Sequence, residues 1–396
     1  ASVSASATDT TAMQQTVRFG DGSKVIFSRA DASAAWVADN GKDTLVPVPA
    51  GWVATRAGDE SRWLIDAAAN RLVSITQRNG WVMTMGYNPL NQLTSVTNAF
   101  GRSLQLEYDA SGRISKVNLP DGRAIRYAFD SISRLIYVGY PDNSSKSYAY
   151  ENGAFPFALT GMVDESGQRI ATYAYDTQGR ATSTSHAGGA QAYSVNYGSG
   201  GGDAPNGALV AGTAVDPSIY RSTVQVTDPL GNPQTWVYQG GDGNIRVLGA
   251  NGAFMGGQVA NTGFVGTTTL PALETDFLGI NTLFTWDASR RLKLAETKAA
   301  GRPEAQTVQT QWHPTFRLPV LVTEAGKTTA YTYDALGNML TQTVTDTATG
   351  QARTWAYTYT PQGLVASMTD PRGSTWAYGY DAQGNRTSER NPLGHD

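Results

Sequence analysis

Tyr331-Thr332-Tyr333-Asp334-Ala335-Leu336-Gly337-Asn338 is the stretch that decides how this chain folds. Its skeleton is aromatic, any residue, aromatic, Asp, two residues, Gly, then Asn or Arg. The same skeleton stands at Tyr173, Tyr175, Asp176, Gly179 and Arg180, and again at Tyr378, Tyr380, Asp381, Gly384 and Asn385. Tyr108, Asp109, Gly112 and Arg113 give a version with one aromatic. A residue that returns many times at one position of a repeat usually holds up the fold.

The spacing is regular. The position of Asp334 is held by Asp66, Asn88, Asp109, Asp130, Glu151 and Asp176 in the first half, in steps of 22, 21, 21, 21 and 25. In the second half it is held by Asp287, His313, Asp334, Thr360 and Asp381, in steps of 26, 21, 26 and 21. A second landmark follows the first at a fixed offset, at Gly101, Gly122, Asn143, Gly189, Gly326, Gly373 and Gly394. Each unit is therefore a short segment, a turn, a longer segment and another turn. That is too short for a strand, a helix and a return, and it fits two antiparallel strands.

Residues i and i+2 of a strand share a face. Tyr331 and Tyr333, Tyr127 and Phe129, Tyr148 and Tyr150, Phe284 and Trp286, and Tyr357 and Tyr359 thus point the same way in pairs. Asp followed three residues later by Gly is a turn: the carboxylate accepts backbone N–H groups, and Gly enters the left-handed region without a Cβ clash. Asp121-Gly122 and Asn251-Gly252 read as hairpin signals at the other end of the unit. No window sustains the i, i+3, i+4, i+7 apolar spacing of a helix. The fold class expected is all-β, a continuous run of antiparallel β-hairpins.

Composition agrees with many tight turns: 43 Gly and 17 Pro, and only 16% charged residues. The repeat favours one continuous array over separate domains, because each unit buries its apolar face only against its neighbours. A net charge of −3 recommends no nucleic-acid partner. No apolar run is long enough to span a bilayer, so no membrane span is expected. With no cysteine, disulfides and thiolate metal sites are excluded. About thirteen units imply about 26 strands. At about 4.8 Å each these span about 125 Å, one coil about 40 Å across.

Along the chain, residues 1–16 read as an extended arm or loop. Residues 17–62 read as atypical hairpins, Val17–Phe19 against Lys24–Phe27 and Trp36–Ala38 against Thr44–Val46. Residues 63–190 are regular repeats, 191–280 are irregular and Gly-rich, and 281–396 are regular again. The start at Ala1 and the stop at Gly394-His395-Asp396 suggest an internal segment of a longer polypeptide.

Catalytic readings compete with packing. A row of acids at one turn position acts more plausibly as backbone acceptors than as catalysts, and paired carboxylates need convergence that spacing does not show. The tyrosines read as wall packing ahead of a sugar-stacking surface. His186, His313 and His395 are far apart, so no metal site is expected. Gly326-Lys327-Thr328 lacks the first glycine of a phosphate loop, Leu321 standing there. Gly240–Asn244 matches a calcium nonapeptide only in part. Asn143-Ser144-Ser145 and Asn385-Arg386-Thr387 fit glycosylation acceptors in turns. No catalytic, cofactor-binding or metal residue is assigned.

The octapeptides ending at Arg180, Asn338 and Asn385 resemble the YD repeat of RHS (rearrangement hotspot) proteins, over roughly Phe19 to the C-terminus. The resemblance implies a β-ribbon spiralling into a hollow shell, as in bacterial polymorphic toxins, Tc-toxin C subunits and teneurins. It implies a secreted or cell-surface bacterial protein that encloses a toxin or effector. Its partners would be the rest of the polypeptide with a C-terminal cargo, a secretion-machine spike, or a second chain along open sheet edges. An extracellular adhesin for glycans or proteins is one alternative. Another is a fragment of a self-cleaving toxin whose catalytic part lies elsewhere. Asp228-Pro229-Leu230-Gly231 and Asp370-Pro371-Arg372-Gly373 resemble the family's cleavage core, yet both stand at the ordinary second-turn position.

Overall fold

A computed structural model describes the chain except residues 1, 5–13, 20–21, 198–203, 206–219, 242–243, 253–258, 267, 277 and 396. The Gly198–Gly202 run, Asp242-Gly243 and most of residues 1–16 therefore lie outside the described residues. Strands make up 53% of the chain and helix 1%.

Among the described residues, thirty-one strands, from Thr44–Val48 to Arg386–Arg390, form one ribbon in which sequence neighbours pair antiparallel. At one position the ribbon departs from simple order: Tyr193–Asn196 and Ala204–Pro205 both pair with Tyr220–Thr227. The irregular middle is also strand: Pro233–Gly241 pairs with Asn244–Gly252, and Val259–Phe264 with Pro271–Thr275. That is why the ribbon exceeds the strand count drawn from the motif. Asn251-Gly252 ends a strand there rather than forming the turn.

The hairpins curve for a local reason. Just before the second aromatic of a unit the register shifts by one residue. Glu107 faces Lys116 but Tyr108 faces Ile114, and Ser115 is the extra residue. The same shift occurs at Ala128/Phe129, Ala174/Tyr175, Thr332/Tyr333, Thr358/Tyr359 and Gly379/Tyr380. A bulge bends its strand and raises its twist. Repeated in most of the hairpins, it turns a flat ribbon into a coil.

A separate four-stranded sheet precedes the ribbon: Ser2–Ser4, Gln14–Arg18, Lys24–Ser28 and Val37–Ala38. Val37–Ala38 pairs with Phe27–Ser28, correcting the expected pairing with Thr44–Val46. The Asp39-Asn40-Gly41 turn exists, but Ala38 is buried beside Phe27 in an apolar cluster. The strand that follows the turn pairs with Gly51–Thr55 instead. The cluster joins Val17, Val25 and Phe27 of the small sheet to Leu45, Trp52, Ala54, Ile65 and Leu72 of the ribbon.

Beyond this cluster the buried apolar residues are few, namely Ala124, Val138, Leu270 and Leu292 among the described residues. The accessible surface is 22814 Å². A compact monomer of 42.2 kDa exposes only about 15,000 Å². The ribbon is thus a wall one sheet thick with two wetted faces. One face carries aromatic and aliphatic side chains such as Leu106, Tyr108, Val117 and Tyr127. The other carries hydroxyls that pair across strands, as Thr343 with Thr354 and Thr369 with Thr375, both at 2.9 Å.

No backbone ladder joins Arg386–Arg390 to Thr44–Val48 among the described residues, so hydrogen bonds do not close the ring. The two terminal strands are guarded. Thr44–Val48 contains Pro47, and Arg386–Arg390 carries the Arg386–Glu389 ion pair at 3.0 Å. Proline and charge both discourage a strand edge from pairing with another chain.

Candidate functional site

Each unit is fastened to the next by its own repeated side chains. In the turn Asp109–Arg113, Asp109 Oδ1 accepts the N–H groups of Ser111 and Arg113, both at 2.9 Å. Its Oδ2 accepts Arg113 Nε at 2.8 Å. The Arg113 guanidinium continues into the next unit, donating to the Asp130 carbonyl at 3.2 Å and lying 4.8 Å from the Phe129 ring centre. Arg134 over Tyr150 and Arg180 over Tyr197 repeat the arrangement.

The second aromatic reaches back. Tyr108 Oη donates to the Leu93 carbonyl at 2.8 Å, Tyr175 to Leu159 at 2.7 Å, Tyr333 to Pro319 at 2.8 Å and Tyr380 to Val365 at 2.9 Å. Trp286 and Trp312 make the same strut with Nε1, to Pro271 and Lys293. The strut spans the rim of the ribbon where the bulge leaves the ladder irregular. Tyr333→Phe is expected to lose about 0.5–1.5 kcal/mol, the net worth of one such bond, read from the urea midpoint.

The turn residues singled out from the sequence occupy one geometry. Asp176, Asp334 and Asp381 cap their turns as Asp109 does. Gly112, Gly179, Gly337 and Gly384 have φ between 75° and 79°, a region that favours glycine. Arg180 clamps Asp176 at 2.7 Å. The first aromatics behave less uniformly. Tyr173 Oη contacts Met162 Sδ at 3.4 Å, the Tyr331 ring stacks on Tyr333 at 6.4 Å, and the Tyr378 ring lies 5.5 Å from the Arg386 guanidinium. These residues are spread along the ribbon and converge on no common centre. His313 takes the place of a turn Asp and does its job, its Nδ1 accepting the N–H groups of Thr315 and Phe316 at 3.2 and 3.0 Å.

Three of the capping carboxylates, Asp109, Asp228 and Asp381, are held below their ordinary range. For Asp109 the main cause is the Arg113 side chain, for Asp228 the amide of Asn232, and for Asp381 the amide of Asn385. A depressed carboxylate contributes stability above the unfolded value of about 4 and loses it as pH falls through the folded value. The urea midpoint is therefore expected to stay flat from neutral pH to about 5 and to drop steeply below about 4.

A second constellation is not legible from the motif. The ribbon coils until its opposite rims meet. One rim carries the first turns, of the Asp334–Asn338 kind; the other carries the second turns, such as Gln77–Trp81 and Asn98–Arg102. Glu60 Oε1 accepts Arg317 N–H at 2.8 Å. Arg78 donates to the Gly337 carbonyl at 3.5 Å, Trp81 Nε1 to the Gln362 carbonyl at 2.6 Å and Arg102 to Asn385 Oδ1 at 2.9 Å. A Cβ on Gly384 would stand 3.0 Å from the Phe100 ring. About 22 strand positions separate contacting turns, giving a coil about 34 Å across. The chain thus makes more than one coil, where the strand count from sequence allowed about one. A cavity of about 640 Å³ opens beside this seam, lined by Arg78, Trp81, Met83, Asn98, Phe100 and Arg102. A sequence signal for the seam is the aromatic pair Trp81 and Phe100 at second turns, where the next two units carry Arg123 and Ser144 in place of Trp81 and Asp121 and Asp142 in place of Phe100.

Residues 64–202 match the family model described as Teneurin YD-shell, and residues 359–396 match that described as RHS Repeat. No curated protein sequence matches the chain. Among solved structures, the TcdB2-TccC3-TEV crystal structure superposes with a TM-score of 0.52 at 11% identity, over 96% of this chain and 23% of that one. The Photorhabdus luminescens Tc holotoxin pore with a substituted TccC3 gives 0.52 at 10% identity, over 94% and 22%. TcdB2-TccC3 gives 0.51 at 10%, over 93% and 23%. At such identities the likeness shows the fold, and this chain spans less than a quarter of those chains. Residues 64–202 and 359–396 thus carry repeats of the Teneurin YD-shell and RHS Repeat kind, in a ribbon whose units are fastened through Tyr or Trp struts and capped by turn Asp residues.

Proposed function

We propose that this chain is a stretch of shell wall that encloses a toxin or effector polypeptide and keeps it from the surroundings until delivery. The observation that carries the reading is the coil itself: a sheet one layer thick whose opposite rims meet through Trp81–Gln362 and Arg102–Asn385. A wall of this kind has area and little core, as its excess surface indicates. Its Tyr, Asp, Gly and Arg positions act as fasteners, and we assign no catalytic step to them. The Tc complexes among its structural neighbours support a setting within a larger secreted polypeptide. No helix among the described residues is long and apolar enough to cross a membrane.

The test joins a protease-labile, unstructured segment to the chain after Asp396. A wall that shelters cargo slows cleavage of that segment at least about tenfold against the same segment on a compact carrier. Equal rates would remove the barrier reading. High-affinity retention on a glycan array, with equal cleavage rates, would favour the adhesin instead.

A further inference from the structure

The seam inside the chain shows how one rim recognises the other, and the same elements recur where no described residue covers them. Phe100 is the third residue of the turn Asn98–Arg102. Asn98 Oδ1 accepts Phe100 N–H at 3.0 Å and Arg102 N–H at 2.9 Å, which aims the ring off the rim and onto Gly384 of the facing turn. Leu230 holds that position in Asp228–Asn232, where Asp228 Oδ1 accepts its N–H at 2.9 Å and that of Asn232 at 2.8 Å. Leu278 holds it in Asp276–Ile280, with both bonds at 2.8 Å. Leu393 holds it beside Asn391. Phe100 is half-buried, whereas Leu230 is 85%, Leu278 70% and Leu393 80% exposed.

The opposite rim has a matching stretch. Where no later coil lies against it, the first-turn rim presents Leu90 at 78%, Ile132 at 46% and Phe157 at 70% exposure. Apolar tips on both uncovered rims, in a chain whose covered rims meet through Trp81 and Phe100, are unlike scattered surface leucines. Strand-edge pairing is disfavoured by Pro47 and by the charged last strand. Rim contact is then the open route to association.

We propose that a second copy of this chain docks on the second-turn rim at Leu230 and Leu278, presenting its own first-turn rim, so that coils stack end to end. The contact uses different patches on the two copies. It therefore leaves one rim free on each and builds stacks rather than closed dimers.

Sedimentation velocity over a concentration series tests this. The wild-type chain is expected to form species that grow with concentration. Leu230→Asp with Leu278→Asp blocks one rim; Leu90→Asp with Ile132→Asp blocks the other. All four side chains point off turn tips into solvent, so each variant keeps the wild-type circular dichroism and melting. Alone, each variant is expected to be at least about tenfold weaker in self-association. Mixed, the two restore a one-to-one dimer, because one unaltered rim of each kind remains. A wild-type chain that stays a single small species at every concentration overturns the proposal and leaves the rim to another partner. Variants that associate like wild type, or a mixture that forms no dimer, overturn it as well.

Discussion

Phe27→Ala is expected to cost about 3–5 kcal/mol and to detach the N-terminal sheet from the wall. Phe27 has no exposed surface and sits where Val17 and Val25 meet Leu45, Ala54 and Ile65. The side chain belongs to a sheet that shares no backbone ladder with the ribbon among the described residues. Its loss should therefore act locally. Proteolysis is expected to cut within residues 22–43 while fragments from the later hairpins persist. Loss of the whole ribbon at the same protease dose would show that the small sheet is a keystone rather than a cap.

Replacing Trp81 and Phe100 together by Ala is expected to open the seam at a cost of about 3 kcal/mol, from two half-buried rings and their edge-on contact at 5.3 Å. The coils are held there by side chains against turns, while within a coil every strand is held by a ladder. The rims should part before any hairpin melts. The chain has no cysteine, so spin labels placed at Ser103→Cys and Ser388→Cys report the gap without background. The expected result is a longer, broader distance distribution with unchanged far-ultraviolet circular dichroism. An unchanged distance would mean that the Arg78, Arg102 and Glu60 contacts hold the seam unaided.

Much of this fold is readable without coordinates. Tyr333, Asp334 and Gly337 announce a strand end, a carboxylate cap and a left-handed turn from residue type and order. All three are local requirements met within one short turn. The bulge beside each second aromatic is not legible, because Leu340 and Ser115 carry no mark of being extra. The pairing of Val37–Ala38 escapes the sequence for a similar reason. The turn after Ala38 is genuine, but burial beside Phe27 outweighs the return it suggests. Gln15, the cross-strand partner of Phe27, lies fully buried although its side chain is polar, and its sequence position gives no hint of it.

By itself the sequence determined the hairpin and its repeat, since the turn cap, the left-handed glycine and the alternation of faces lie within one unit and depend on residue type. Only the tertiary structure decided the coil and its seam. Glu60 meets Arg317 and Arg102 meets Asn385 at sequence separations of 257 and 283. That meeting depends on how many small bends accumulate around the ring, a sum that no single unit encodes.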